Sequence, residues 1–165
     1  MPEKSKANLQ SSLIEINASN RDQLKRMVEV CFPITYKDEF YLRVVNLYSE
    51  FSRFIVIKDV IIGGVACRRE VDKDTNEPFL HLMILLVLHK YRRFGLASKM
   101  LEFVYETLSK SNEKVAYLSL HVQKINEAAV NFYKKAGFEV IEEIPDYYNE
   151  LEHPAALHMR KTLSK

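Results

Sequence analysis

The chain has 165 residues, of which 47% are hydrophobic, which is enough for one sizeable core and short for two domains. We expect a single domain over residues 12–165, preceded by a disordered tail at residues 1–11. The net charge of +2 comes from 24 basic and 22 acidic residues, so the chain lacks the broad basic field that a nucleic-acid partner favours. No apolar run approaches the ~18 residues of a membrane span, and no signal peptide is recognisable, so no membrane contact is expected.

The two cysteines, Cys31 and Cys67, both lie inside apolar segments and show neither pairing nor metal-ligand spacing. This usage is typical of packed thiols in a reducing compartment. We therefore expect a cytoplasmic protein, with the nucleus as a second location, and no bound metal.

The first third of the chain alternates short elements with an aromatic loop. A strand is predicted at Leu13–Ile16, followed by a helix that Ser19 or Asn20 would cap. The apolar stripe of that helix is Leu24, Met27, Val28 and Cys31. Phe32 and Pro33 end the helix and open an aromatic loop through Tyr36, before a second helix over Lys37–Leu47.

The middle of the chain is rich in strands. Two runs at Phe54–Ile57 and Val60–Cys67 predict an antiparallel hairpin, with Lys58 and Asp59 as its two-residue turn. A charged loop over Asp72–Pro78 leads into Leu80–Leu88, whose continuous apolar character predicts a strand buried on both faces. The helix after that strand has one apolar stripe, formed by Ala97, Met100, Leu101, Val104 and Leu108.

The last third continues the alternation of strands and helices. A strand at Tyr117–Val122 should run parallel to the central one, because a helix connects them. Asn126 is a suitable cap for the next helix, and Gly137 suits its left-handed end. The stripe of that helix is Ala129, Phe132, Tyr133 and Ala136, and the remaining strands are predicted at Phe138–Ile141 and Ala155–Met159.

The turn between the central strand and its helix carries two arginines and a glycine. The first turn of a helix has unpaired N–H groups and the positive end of the macrodipole, which suits a phosphate. Gly95 lets the backbone approach a ligand closely, while Arg92 and Arg93 add positive charge. An ordinary strand-to-helix turn with a solvated basic patch is the alternative interpretation.

This turn resembles the acetyl-CoA pyrophosphate loop of the GNAT N-acetyltransferases, in which Arg92, Gly95 and Ala97 fill the signature positions. The order of elements is similar to the family's over nearly the whole chain. The resemblance implies an α/β GNAT fold, with a mixed, mostly antiparallel sheet flanked by helices and splayed at the acetyl-CoA site. It implies acetyl-CoA as cosubstrate, contacted by Leu85, Val87, Arg92, Arg93, Phe94, Gly95, Leu96, Ala97 and Ser98, and by Asn126 and Tyr133 of a second segment.

Within this superfamily the chain most resembles the N-terminal acetyltransferases of the San or NatE type. Four segments carry the resemblance: residues 32–36, 91–93, 120–123 and 146–148. It implies that the first two residues of a peptide are clamped by Phe32, Pro33, Ile34 and Tyr36 on one side and by Tyr147 and Tyr148 on the other, with Met83 pointing into the same pocket. An apolar slot of this kind favours a retained methionine followed by another hydrophobic residue. A surface aromatic pair is the alternative for Tyr147 and Tyr148.

The reaction needs one base, because an α-amine with a pKa of ~7.7–8.0 must lose a proton and attack the thioester. His121 is the candidate that the family motif supports, on the polar face of its strand. The family's second catalytic residue is a tyrosine early in the central strand, and here His81 occupies that position. His81 is therefore a second catalytic hypothesis, and a backbone N–H near Val87 is the expected oxyanion donor.

Two further departures from the family pattern bear on cofactor affinity, namely Leu86 in place of a small residue and Lys90 in place of proline. Two other functions also remain open. One is lysine or small-amine acetylation, which would require a more acidic or open slot. The other is a weakly catalytic adaptor on the ribosome-associated NatA complex, with which the family docks.

Overall fold

The computed structural model describes residues 9–163, and within them the chain forms seven strands and four α-helices. The elements are β1 (Ser12–Glu15), α1 (Arg21–Cys31), α2 (Asp38–Asn46), β2 (Arg53–Ile57), β3 (Val60–Val71), β4 (Pro78–Val87), α3 (Leu96–Lys110), β5 (Tyr117–Gln123), α4 (Glu127–Lys135), β6 (Glu139–Ile144) and β7 (Ala156–Thr162). None of the described helices has the length and apolarity needed to cross a membrane.

The strands form one mixed sheet in the order β1-β2-β3-β4-β5-β7-β6. The pairs β1–β2, β2–β3, β5–β7 and β6–β7 are antiparallel. Strands β4 and β5 pair in parallel, with Leu80 opposite Leu118 and His81 opposite Ser119. The predicted α/β fold and its parallel central pair are therefore confirmed.

Three strands are longer than predicted by two residues or more. Strand β3 continues beyond Cys67 to Val71, and the side chains of Arg68 and Glu70 in this extension pair with each other at 2.8 Å. Strand β7 continues beyond Met159 because it remains paired with β5 as far as Thr162. Strand β6 begins one residue after Phe138 and extends through Ile144.

The chain divides into two compact units, each of which takes part of β3 and part of β4. Unit 1 comprises Met1–Ala66 and Ile84–Lys110, and unit 2 comprises Cys67–Met83 and Ser111–Lys165. The core of unit 1 includes Leu24, Val28, Val44, Phe51, Phe54, Ile55, Ile62, Ile84, Met100 and Val104. The core of unit 2 includes Cys67, Leu80, Leu118, Leu120, Phe138, Ala156 and Met159.

Two turns in unit 1 test the local predictions. Lys58 and Asp59 both have positive φ, 49° and 64°, which confirms the two-residue hairpin turn. Helix α1 begins after Asn20, yet no side chain caps its first N–H groups. The side chain of Asn17 instead accepts from the N–H groups of Ser19 and Asn20 at 2.9 and 3.2 Å, so the turn before the helix is closed locally.

The predicted disordered tail, residues 1–11, lies mostly outside the described residues. Within the described part, the carbonyl and the hydroxyl of Ser11 accept from Nζ of Lys99 at 2.6 and 2.9 Å. This contact joins the start of the described chain to the first turn of α3.

Helix α4 in unit 2 is capped as predicted but packs differently. The side chain of Asn126 accepts from the N–H of Ala129 at 3.2 Å, and Gly137 has a φ of +97° just after the helix. Val130 is the buried residue of α4, whereas the predicted stripe of Ala129, Phe132, Tyr133 and Ala136 is half-buried. The predicted stripe therefore faces the protein, but the prediction left out Val130.

Gly63 on β3 marks a close backbone approach within unit 1, and its replacement tests that approach. A Cβ atom added at Gly63 would lie 2.5 Å from the carbonyl oxygen of Leu86 and 3.3 Å from Cα of Val87. Because those atoms are backbone, Gly63→Ala should lower the free energy of unfolding by about 1–3 kcal/mol. Urea denaturation measures this change.

Gly64→Ala is the matched control for that prediction. A Cβ atom at Gly64 would meet its nearest neighbour, the carbonyl oxygen of Arg53, at 3.4 Å, and neither glycine has a positive φ. Its effect should remain within about 1 kcal/mol. Equal losses in the two variants would show that the approach to Leu86 is not what requires glycine.

Candidate active site

The strand-to-helix turn lies in unit 1, at the end of β4. A short 3-10 turn, His89–Tyr91, follows the strand, and Arg93 and Gly95 then take left-handed conformations with φ of 70° and 74°. No heavy atom lies within 4 Å of the position that a Cβ of Gly95 would occupy. The backbone before α3 is therefore open to a ligand at a helix N terminus, which is the geometry that a pyrophosphate requires.

Arg92 holds this turn closed through its own side chain. Its Nε donates to the carbonyl oxygen of Val87 at 2.9 Å, which joins the two ends of the connection. Arg93, Phe94, Gly95 and Ser98 are exposed, Leu85 and Ala97 are half-buried, and Val87 and Leu96 are buried. The predicted cofactor residues of unit 1 thus lie together, with Arg92 shaping the loop.

Leu86 points into the core of unit 1, with 4% of its surface exposed. Because successive side chains of a strand point to opposite faces, Leu86 lies on the face opposite to that of Leu85 and Val87. Its bulk therefore fills the core instead of the face that Leu85 and Val87 share.

Three histidines meet on one face of the sheet in unit 2. His81 lies on β4, His121 on β5 and His158 on β7. The ring centroids of His81 and His121 are 5.3 Å apart, and those of His121 and His158 are 4.8 Å apart. Tyr147, in the loop between β6 and β7, stacks on His121 at 4.4 Å. The two predicted catalytic histidines are therefore neighbours, and a third histidine accompanies them.

A buried hydroxyl forms a hydrogen bond with the ring of His81. Its Nδ1 lies 2.8 Å from Oγ of Ser119, whose residue is 1% exposed. Burial, together with the charges of His121, Arg68 and His158, lowers the pKa of His81 to about 3. The ring is therefore neutral at neutral pH.

His121 is likewise kept neutral. Burial lowers its pKa to about 4, and His158 and Arg68 contribute in the same direction. Its Nδ1 is buried and has no hydrogen-bond partner among the described residues. Nε2 is therefore the ring nitrogen of His121 that we expect to exchange protons.

Arg68 supplies the positive charge on this face. One terminal nitrogen lies 2.8 Å from Oε1 of Glu70, while Nε is buried and lacks a hydrogen-bond partner in the described part of the chain. The sequence-based predictions missed both Arg68 and His158. A basic residue at the end of an otherwise apolar strand was the signal for Arg68, whereas no local signal marks His158.

The predicted peptide contacts fall into two groups, one in each unit. In unit 2, Tyr147 is 45% exposed and meets Tyr148 edge-to-face at 4.8 Å, while Met83 is half-buried on β4. In unit 1, the ring of Tyr36 stacks on Phe40 at 4.2 Å. Phe32 and Ile34 are half-buried in the same loop, and Pro33 is exposed.

The two residues of the second cofactor segment have structural contacts of their own. Asn126 caps α4, and Tyr133 meets Phe132 and Phe138 edge-to-face at 5.3 and 5.6 Å. Burial raises the pKa of the Tyr133 hydroxyl, so the hydroxyl keeps its proton and remains a hydrogen-bond donor. Among residues 9–163, no cluster of His, Cys, Asp and Glu could hold a metal ion.

An open turn at a helix N terminus and neutral imidazoles are parts that an enzyme would need to transfer an acyl group from a phosphate-bearing carrier. Comparison with known proteins points to the same class of enzyme. The profile of the acetyltransferase (GNAT) family matches residues 21–138. The chain belongs to this family, whose acetyl donor is acetyl-CoA.

Two curated relatives extend over most of the chain. N-alpha-acetyltransferase 50 of Danio rerio is 38% identical over 149 residues, which cover 90% of this chain and 86% of that protein. The probable N-acetyltransferase san of Drosophila melanogaster is 34% identical over 151 residues, which cover 92% of this chain and 80% of that protein.

A solved structure has the same fold. Arabidopsis thaliana Naa50 in complex with the bisubstrate analogue CoA-Ac-MVNAL has a TM-score of 0.82 and 34% identity to this chain. The similarity covers 93% of this chain and 99% of that chain. The predicted resemblance to the N-terminal acetyltransferases is thereby confirmed.

Proposed function

We propose that this acetyltransferase modifies the free α-amine of protein N termini, with a preference for a retained methionine followed by a hydrophobic residue. The observation that carries the proposal is the pair of neutral imidazoles, His81 and His121, beside the exposed Tyr147. The relatives named N-alpha-acetyltransferase support the same chemistry.

Acetyl-CoA would occupy the open turn before α3, where Gly95 leaves room for its pyrophosphate. When bound, it supplies the acetyl group as a thioester. Arg92 keeps the turn closed through Val87, and the exposed Arg93 offers charge to the phosphates. The backbone near Val87 is the proposed oxyanion donor.

His121 is the proposed general base. As the amine nitrogen bonds to the acetyl carbon, the carbon–sulfur bond would break with its electron pair on sulfur, CoA would leave as the thiolate, and Nε2 would accept the proton that the nitrogen releases. With a pKa of about 4 the imidazole is in its proton-accepting form at pH 7, but it is a weak base. The amine becomes a strong acid only as the new bond forms, so a weak base suffices at that point.

His81 is the second proposed catalytic residue. It replaces the family's tyrosine, and its ring lies 5.3 Å from that of His121. With Nδ1 engaged by Ser119, its Nε2 is the nitrogen left for substrate or for water.

The preference for methionine rests on aromatic and apolar side chains. Tyr147, Tyr148 and Met83 offer such a surface in unit 2. Phe32, Pro33, Ile34 and Tyr36 offer another in unit 1 and are proposed from the resemblance. A polyamine or a lysine side chain would require an acidic lining, and these residues do not provide one.

A peptide panel tests the proposed function. Peptides that differ only in their first two residues are acetylated with acetyl-CoA, and release of the CoA thiol is measured. We expect kcat/KM for a Met-Leu start to exceed that for a Ser-Glu start by at least about tenfold, because a buried apolar side chain contributes roughly 1.5–3 kcal/mol.

The controls distinguish the alternative functions. A peptide with a blocked N terminus and one internal lysine tests lysine acetylation, and a free polyamine tests small-amine acetylation. Preferential turnover of either would overturn the proposal. Acetyl-CoA binding without turnover on any substrate would identify the adaptor instead.

The cellular setting is proposed from the same resemblance. We place the protein in the cytoplasm, with the nucleus as a second site, on a NatA complex at the ribosome. Cosedimentation with ribosomes that is lost on removal of NatA would support this setting. Sedimentation that is independent of NatA would contradict it.

A further inference from the structure

His158 is a third histidine beside His81 and His121, and the proposed chemistry gives it no role. It lies on β7 directly opposite His121 of β5, in a ladder of seven consecutive pairs from Tyr117–Thr162 to Gln123–Ala156. Side chains of directly opposite residues lie on the same face, with Cβ atoms about 4.5–5.5 Å apart. The backbone ladder therefore fixes where His158 stands relative to His121.

The two rings stack. Their centroids are 4.8 Å apart and their planes differ by 19°. Burial and the charge of Arg160 lower the pKa of His158, while Glu142, opposite it on β6, acts in the other direction. Two neutral imidazoles can stack without charge repulsion at neutral pH.

His121 needs an orienting group, because a catalytic base is ordinarily held by a hydrogen bond at its second nitrogen. Here Nδ1 of His121 is buried and has no such partner among residues 9–163. The χ2 angle of a histidine is broad and roughly two-fold, so packing must select the ring plane. Two rings are stacked on it, Tyr147 from an exposed loop and His158 from a strand.

We propose that His158 is a positioning residue for the acetyl-transfer reaction, which fixes the plane of the His121 imidazole by stacking and keeps Nε2 aligned with the substrate amine. The inference rests on the proposed role of His121 as base. Tyr147 lies on an exposed loop where peptide is expected, whereas the backbone of His158 is held in the β5–β7 ladder.

Two substitutions of His158 distinguish a role of its aromatic ring in stacking from a role of its imidazole nitrogens. His158→Phe keeps an aromatic ring, and His158→Leu removes it at similar volume. We expect His158→Leu to lower kcat about tenfold while KM for peptide and for acetyl-CoA changes less than about twofold, because misalignment affects the transition state alone. His158→Phe should remain within about twofold of wild type in all three constants.

The outcomes are distinct. Wild-type kcat in His158→Leu would overturn the inference, and so would an equal loss in both variants, which would assign the role to the imidazole itself. If His158→Leu fails to fold, His158→Asn removes the ring while keeping a polar side chain, and the same comparison with His158→Phe decides. Full activity of His121→Gln would instead show that His121 is not the base. Failure of the proposed base and failure of the positioning role of His158 can therefore be told apart. His153→Phe, on an exposed loop, is the matched control.

Discussion

Replacing His121 by Gln is expected to lower kcat for a Met-Leu peptide by about 100- to 10,000-fold, the range found when a general base is lost. Glutamine places a polar group near the position of Nε2 but cannot accept a proton. Two other imidazoles lie near His121: the ring of His158 at 4.8 Å and the ring of His81 at 5.3 Å, and His81 is itself bonded to Ser119. Initial rates at saturating peptide and acetyl-CoA, with KM for both, measure the effect.

The pH profile adds a second signature of the base. Because burial holds the pKa of His121 at about 4, this residue should add no break to the pH profile between neutral pH and about pH 5, where the rate falls with protonation of the substrate amine, whose pKa is ~7.7–8.0. The residual rate of His121→Gln should rise with pH as solvent takes over proton removal. His81→Asn, which retains a partner for Ser119, should lose about tenfold or less if His121 is the principal base.

The control variant is His153→Gln, since His153 is exposed and its contact to Gln123 uses a backbone carbonyl that the substitution leaves in place. KM for acetyl-CoA should not change in either variant. A His121→Gln enzyme within threefold of wild type, ~0.7 kcal/mol, would rule out the base assignment.

Local patterns explain why the turn and the position of His121 on its strand could be predicted from the sequence. The change from a continuous apolar run to a stripe of period 3.6 places Gly95 between strand and helix, and both elements formed at those positions. Alternation along β5 placed His121 on the face opposite Leu120. Each inference needs only residues that are neighbours in the chain.

The remaining features depend on pairings that the sequence does not encode locally. His158 meets His121 only through the register of β5 against β7, and that register is set by strands 33 or more residues apart. The cap before α1 illustrates the same limit at short range. Asn17 and Asn20 both suit a cap, and competition among their side chains decided which groups are bonded.

Acid should destabilise this protein more steeply than its carboxylates alone would, and His81 makes the largest contribution. Its pKa is about 3 in the folded protein and about 6.5 in the unfolded chain. Above pH 6.5 neither state binds the proton, and His81 has no effect. As the pH falls below 6.5 the unfolded chain gains a proton that the folded protein refuses, so the free energy of unfolding declines.

The size of the effect follows from the gap between the two pKa values. At pH 5 the penalty from His81 is about 2 kcal/mol, since each pH unit below 6.5 costs ~1.36 kcal/mol. His121 and His158 act in the same direction but are more exposed, so solvent screening makes their share smaller. The midpoint of thermal unfolding should therefore drop between pH 7 and pH 5 by an extra ~4–8 °C on account of His81.

His81→Asn isolates this term, because it removes the titrating ring and keeps a hydrogen-bonding group beside Ser119. The comparison concerns slopes, so a constant loss of stability in the variant does not affect it. Between pH 7 and pH 5 the variant should lose about 2 kcal/mol less than wild type, while His153→Asn should follow wild type. Parallel curves for wild type and His81→Asn would mean that the folded protein accepts a proton at His81 as readily as the unfolded chain. The neutral imidazole on which the proposed chemistry depends would then have to be His121 alone.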